Sequence, residues 1–66
     1  MKEILEKIAQ GERNNGAFQA RTNEDIEDID YLYSLGYVNK FDFMPNGCAA
    51  TLTSKGSQEL KRLQNA

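Results

Sequence analysis

The chain has 66 residues, a formal charge of −2 and a pI near 4.9, with eight Lys and Arg against ten Asp and Glu. Its length fits one small domain with a modest core, and 39% hydrophobic residues favour a folded globule over a disordered segment. The charge balance opposes unspecific binding to nucleic acid or anionic membrane, and no apolar run has the length of a membrane span or a signal peptide.

The amino-terminal residues predict an amphipathic helix over roughly residues 2–10, which Gly11 is expected to end. Its apolar stripe is formed by residues at helical spacing: Ile4, Leu5, Ile8 and Ala9. The Asn-Gly step within residues 12–16 predicts a turn. Residues 17–21 are too short for a helix between two breakers, so we expect an edge strand anchored by Phe18.

A second helix is predicted to begin after Thr22. One face carries apolar residues three and four positions apart and is expected to join the core: Ile26, Ile29, Leu32 and Tyr33. Thr22 followed by Asp25 resembles a loose capping box, and acidic residues in the first turn suit the positive end of the helix dipole. Gly36 is expected to supply the left-handed stop.

The opposite face of this helix combines negative charge with an aromatic ring. Five of the ten carboxylates lie within residues 24–30, and no Lys or Arg occurs within residues 22–39. We call the following residues the acidic face: Glu24, Glu27, Asp28, Tyr31 and Leu35. Two interpretations remain open: a solvated face with Tyr31 lying flat and Leu35 tucked under a neighbouring element, or a surface that binds a partner.

A strand is predicted over residues 37–43, followed by a turn at residues 44–47 and a return strand over residues 48–53. Alternation places three aromatic side chains on one face and Val38 on the other: Tyr37, Phe41 and Phe43. Because Val38 and Phe41 are both suited to the core, we expect a bulge or twist near Asn39.

The carboxy-terminal residues predict a last helix, capped by Thr53 or Ser54. Leu60 and Leu63 are expected to face inward. The cations of this segment are expected to face solvent: Lys55, Lys61 and Arg62. Gly56 is expected to let the helix start close to another backbone segment.

The order helix, short strand, helix, hairpin, helix predicts an α+β domain with helical stripes buried against a small antiparallel sheet. Residues 32–38 (Leu-Tyr-Ser-Leu-Gly-Tyr-Val), a hairpin, and residues 52–56 (Leu-Thr-Ser-Lys-Gly) with Leu60 resemble the second half of a winged helix-turn-helix domain. The chain is similar in this half to small bacterial and phage proteins of the YjcQ type. The resemblance implies that the second helix is the recognition helix and the hairpin the wing. The chain departs from the family pattern in residues 11–22, which are too short to hold the usual middle helix beside a strand, so that helix is expected to be missing or reduced.

The resemblance also implies an alternative function, that of a DNA-binding transcriptional regulator. The residues that would enter the major groove are mostly acidic, and Asn23 is the one neutral base-reading type among them. Phosphate contacts would have to come from cations outside this helix, such as Arg21 and Lys40 near the sheet or wing. Ordinary solvated charges are the other interpretation of these scattered cations.

Catalysis finds little support, since the chain has no His and its one Cys, Cys48, has no evident base nearby in sequence. Asp28-Ile29-Asp30 lacks the glycine and distal Glu of a calcium loop, so no metal site and no cofactor are expected. A single Cys suits a reducing cytoplasm. The sequence therefore predicts a noncatalytic cytoplasmic module whose acidic face binds a basic protein partner or a second copy of the chain.

Overall fold

The computed structural model describes residues 1–44 and 47–66, apart from the side chains of residues 43 and 44. Its elements run in the order α1 (Lys2–Asn15), β1 (Phe18–Ala20), α2 (Asn23–Ser34), β2 (Val38–Met44), β3 (Gly47–Leu52) and α3 (Ser54–Gln64). The predicted α+β class, with three helices and a short antiparallel sheet, is confirmed. The centre of the turn predicted at residues 44–47 lies outside the described residues.

The three strands form an antiparallel sheet in the order β1-β3-β2, so β3 is the central strand. The helices pack on one face of this sheet, where small side chains of β3 let them approach closely. Cys48 and Ala50 are nearly or fully buried there. They share one core with residues from every other element: Ile4, Leu5, Ile8, Ala20, Ile29, Leu32, Val38 and Leu60.

The first helix is longer than predicted, because it continues through Gly11 to Asn15 and ends at Gly16. Gly16 adopts the left-handed conformation (φ 83°), and its N–H donates to the carbonyl of Glu12. Gly11 serves a different purpose, since a Cβ there would lie 2.6 Å from Cα of Phe18. The prediction that Gly11 ends α1 is wrong because this glycine lets the helix lie against β1.

The short strand after α1 is confirmed as an edge strand, paired with β3 alone. Its deepest residue is Ala20, which is fully buried, whereas the expected anchor Phe18 is half-buried against the core. Only Arg21 and Thr22 separate β1 from α2. This part of the chain, which the structure describes completely, therefore has no helix between β1 and α2.

The second helix begins and ends as predicted. The side chain of Thr22 accepts a hydrogen bond from the backbone N–H of Asp25. At the other end Gly36 adopts φ 81°, and the N–H groups of Gly36 and Tyr37 donate to the carbonyls of Tyr33 and Leu32, which is a Schellman motif.

The core face of α2 departs from prediction at one residue. Ile29 and Leu32 are buried and Ile26 packs against the core, but Tyr33 is 57% exposed. The buried arc of the helix is centred between Ile29 and Leu32, so Tyr33 lies at its edge and its ring projects into solvent. The prediction of Tyr33 as a core residue is therefore wrong.

In β2 the face of Val38 is the buried one. Val38 is 2% exposed, whereas Phe41, the other residue suited to the core, is 46% exposed on the opposite face. Asn39 pairs regularly with Thr51, and the irregularity in the ladder lies between Phe41 and Met44 rather than near Asn39. The side chain of Phe43, predicted on the same face as Phe41, lies outside the described residues.

The last helix is capped by Thr53, whose hydroxyl accepts from the N–H of Gly56 at 3.1 Å. Leu60 is buried and Leu63 packs against the core, as predicted. The three cations of this helix are exposed, also as predicted: Lys55, Lys61 and Arg62.

The start of α3 is joined to the end of α2 by several polar contacts. The Thr53 hydroxyl donates to the Gly36 carbonyl at 2.7 Å, and Nζ of Lys55 donates to the Leu35 carbonyl at 2.9 Å. The N–H of Thr53 donates to the carbonyl of Tyr37. A Cβ on Gly56 would lie 1.9 Å from that carbonyl oxygen, which confirms that this helix starts against another backbone segment.

We expect Gly56→Ala to lower the free energy of unfolding by at least about 2 kcal/mol, because overpacking against a fixed carbonyl forces the backbone to move. This clash opposes the gain of about 1 kcal/mol that Ala brings to a helix interior. Urea denaturation followed by circular dichroism measures the difference. Ser57→Ala, at the neighbouring exposed position, is the control, and equal stability of both variants would contradict the prediction.

A candidate acidic interaction surface

The acidic face of α2 is in part exposed to solvent. Glu24 and Glu27 are exposed, and Tyr31 is 60% exposed. Asp28 and Leu35 are half-buried. The structure thus brings all five predicted partner-binding residues onto one side of one helix, and it leaves the Tyr31 ring accessible.

The carboxylates of α2 fall into two groups according to their partners. Oδ1 of Asp25 forms an ion pair with Nζ of Lys7 in α1 at 3.3 Å, and Oδ1 of Asp30 forms an ion pair with Nζ of Lys40 in β2 at 2.5 Å. Within the described residues, the three carboxylates of the acidic face take part in no ion pair: Glu24, Glu27 and Asp28. The face therefore carries negative charge that no cation of the described chain neutralises by direct contact.

A groove between α1 and α2 extends the acidic face. It has a volume of about 270 Å³. Its walls combine carboxylates with apolar groups: Met1, Glu3, Ile4, Asp28, Tyr31 and Leu32. Sequence reasoning missed Met1, Glu3 and Ile4 because periodicity identifies the faces of each helix but does not say which two helices lie side by side.

These features favour a cation with an apolar body as the bound group. A Lys or Arg side chain can place its aliphatic stem on apolar surface while its charged head meets a carboxylate or an aromatic ring. Leu35 presents its side chain only, since its carbonyl already accepts from Lys55.

The three residues predicted for nucleic-acid binding are not brought together. Arg21 follows β1 and its guanidinium donates to the side chain of Gln19 at 2.9 Å. Lys40 pairs across the sheet with the core residue Ala50 and so lies on the helical face. Asn23 is exposed at the start of α2.

Neutral side chains cover the face of the sheet that points away from the helices. Gln19 and Phe41 flank Ala49 of the central strand, and Asn39 donates to the hydroxyl of its partner Thr51 at 3.2 Å. None of these five side chains carries a carboxylate. The negative charge of the molecule is thus concentrated on the helical side, around α2.

Lys40 is held between two carboxylates, at 2.5 Å from Asp30 and 3.5 Å from Asp42. The hydrogen bond to Asp30 raises the pKa of Lys40 above its usual value, and the negative charge of both carboxylates adds to this effect although partial burial opposes it. The ammonium is therefore engaged within the protein, and it links β2 to α2.

Cys48 is 1% exposed, and burial raises the pKa of its thiol. A raised pKa disfavours the thiolate, the form that acts as a nucleophile. No group of three or more His, Cys, Asp or Glu side chains among the described residues is arranged to hold a metal ion. In the same part of the chain, none of the helices has the length and apolar character needed to cross a membrane.

Comparison with family models, with curated proteins and with solved structures found no match to this chain.

The Lys40 ion pairs make a pH-dependent contribution to stability. Because the folded-state pKa of Lys40 lies above its unfolded value near 10.5, the contribution is fully present below that value and is lost as the pH rises through the folded-state pKa. We expect Lys40→Met to be less stable than the unsubstituted chain at neutral pH, with the difference shrinking in strong alkali.

Urea denaturation at neutral pH and above pH 10.5 measures this difference. Lys61→Met is the matched control, since Lys61 is exposed and takes part in no ion pair among the described residues. A stability difference for Lys40→Met that stays constant across this range would contradict the prediction.

Proposed function

We propose that the chain is a noncatalytic interaction module that acts in the cytoplasm of a bacterium or during phage infection, and that its acidic face binds a basic segment of a protein partner or a second copy of the chain. One observation carries the proposal: Glu24, Glu27 and Asp28 take part in no ion pair among the described residues, whereas Asp25 and Asp30 are paired with cations of neighbouring elements.

The negative charge and the exposed aromatic ring of the acidic face both support partner binding. Uncompensated negative charge attracts a positively charged partner and orients it during encounter. An exposed aromatic ring next to that charge can then be buried, and Tyr is among the residues that contribute most to binding at interfaces. Tyr31, which is 60% exposed beside the α1–α2 groove, suits this role.

The test uses a labelled amphipathic peptide rich in Lys and Leu, titrated with the protein and followed by fluorescence anisotropy. We expect Tyr31→Ala combined with Glu27→Lys to weaken binding by about tenfold or more, since the pair removes both the anchor and part of the attracting charge. Higher salt should weaken binding to the unsubstituted chain more than binding to the variant.

Tyr33→Ala provides a matched control, because Tyr33 is 57% exposed on the same helix and lies outside the acidic face. Its affinity for the peptide should equal that of the unsubstituted chain. If the double variant binds as tightly as this control, the acidic face is not the binding surface and the proposal is wrong. If the unsubstituted chain does not bind the peptide, a basic protein partner is rejected and a second copy of the chain is the partner left to test.

A second candidate function is a winged-helix DNA-binding regulator. It is favoured by the direct succession of α2 and the β2–β3 hairpin, which is the arrangement that the resemblance implies for a recognition helix and its wing. In this function the sheet face and Arg21 would meet the phosphates, since α2 itself is acidic and Lys40 is held by Asp30.

Titration of a labelled mixed-sequence duplex at low salt tests the second function. Arg21→Ala should weaken binding and lower the salt slope by about one unit for the lost phosphate contact. Arg13→Ala is the control, because both arginines are exposed and each donates to a nearby Gln side chain at 2.9 Å. Absence of saturable duplex binding, or equal effects of the two substitutions, would count against this function.

A further inference from the structure

A second groove lies on the other side of α1, between its carboxy-terminal half and α3. It has a volume of about 570 Å³. Its floor is apolar and is formed by Ala9, Leu52 and Leu60. Two cations, Arg13 and Lys61, stand at its rim with one carboxylate, Glu12. We call it the α1–α3 groove.

The rim charge distinguishes this groove from its neighbours. Arg13 and Lys61 outnumber Glu12 and leave the α1–α3 groove with net positive charge. By contrast, the groove where α1 meets β1 carries Glu3 and Glu6 against Lys7, and the α1–α2 groove carries two carboxylates and no Lys or Arg side chain. An acidic ligand is therefore favoured only at the α1–α3 groove among these three.

Both cations of the rim are accessible. Arg13 and Lys61 are exposed and take part in no ion pair among the described residues. Arg13 donates to the neutral side chain of Gln10, which leaves its charge uncompensated. The nearby Arg62, by comparison, is held by Glu59 through two hydrogen bonds and is already neutralised.

The acidic face of α2 has the complementary properties. It offers three carboxylates in no ion pair of the described chain, with Tyr31 exposed one turn beyond Glu27 and Asp28 and able to enter an apolar floor. We infer that the α1–α3 groove receives the acidic face of a second copy of this chain. This inference rests on the proposed function of the acidic face and specifies a second copy of the chain as its partner.

Such a contact joins two different surfaces, so it is heterologous and generates rings or open chains of molecules. In the contact, Tyr31 of one copy lies over Leu52 and Leu60 of the next, and Glu27 and Asp28 lie opposite Arg13 and Lys61. Because both charged sets are at the surface, the association should weaken with added salt.

Sedimentation equilibrium at low salt tests the inference. The weight-average mass of the unsubstituted chain should rise with concentration. Arg13→Glu should weaken the association by about tenfold or more, whereas Arg21→Glu, the same change at an arginine with the same kind of Gln contact, should leave it unchanged. Circular dichroism establishes that both variants are folded.

A charge exchange provides the sharper test. The groove variant combines Arg13→Glu with Lys61→Glu, and the face variant combines Glu27→Lys with Asp28→Lys. Each should be monomeric alone, and an equimolar mixture of the two should associate. The unchanged face of the groove variant then meets the unchanged groove of the face variant, and the two reversed surfaces are complementary as well. Continued association of either variant alone, or a mixture that stays monomeric, would overturn the inference.

The two proposals fail in different ways. If the unsubstituted chain is monomeric at every concentration yet binds the Lys- and Leu-rich peptide through Tyr31 and Glu27, the further inference is wrong and the proposed function stands. If the chain associates but Arg13→Glu and Arg21→Glu weaken it equally, the α1–α3 groove is not the binding site. Loss of both peptide binding and self-association would reject the acidic face altogether.

Discussion

The contact between Gly56 and the carbonyl of Tyr37 is the constraint on which the rest of this small domain depends. The first turn of α3 crosses the backbone where α2 ends and β2 begins, at a distance that no side chain at residue 56 would permit. The hydroxyl of Thr53 bridges the same point, since it donates to Gly36 and accepts from Gly56. The junction fixes the end of α2, and with it the direction in which the acidic face points.

The same junction also compensates the end of α2 electrostatically. The last turn of α2 has no basic residue of its own, although a helix carboxy terminus favours a cation. Lys55 of α3 supplies one, since its ammonium reaches the Leu35 carbonyl and lies 5.1 Å from the centre of the Tyr37 ring. Cations from α1, β2 and α3 thus bind Asp25, Asp30 and the carboxy terminus of α2, and Glu24, Glu27 and Asp28 are left without an ion pair in the part of the chain that the structure describes.

Much of the fold could be predicted from local chemistry, and the errors share one cause. Thr22, Thr53 and Gly36 act within a few residues of themselves, so their capping roles follow from the sequence. Gly11 and Phe41 depend on what lies opposite them in space. Gly11 looks like a helix stop until β1 is known to lie 2.6 Å from its missing Cβ, and Phe41 looks like core until Val38 occupies the covered face. The acidic face could be predicted because it depends only on spacing within one helix. The two grooves could not be predicted, because each depends on which elements lie side by side.

The extension of α1 past Gly11 gives both grooves a helical wall. A helix of 14 residues is about 21 Å long. Glu3 in its first turn therefore lines the α1–α2 groove, and Arg13 in its last turn lines the α1–α3 groove. Had the helix ended at residue 10, Glu12 and Arg13 would belong to a loop, and holding them at the rim would cost conformational entropy upon binding. By letting α1 lie against β1, Gly11 therefore allows one continuous helix to place Glu3 at the α1–α2 groove and Arg13 at the α1–α3 groove.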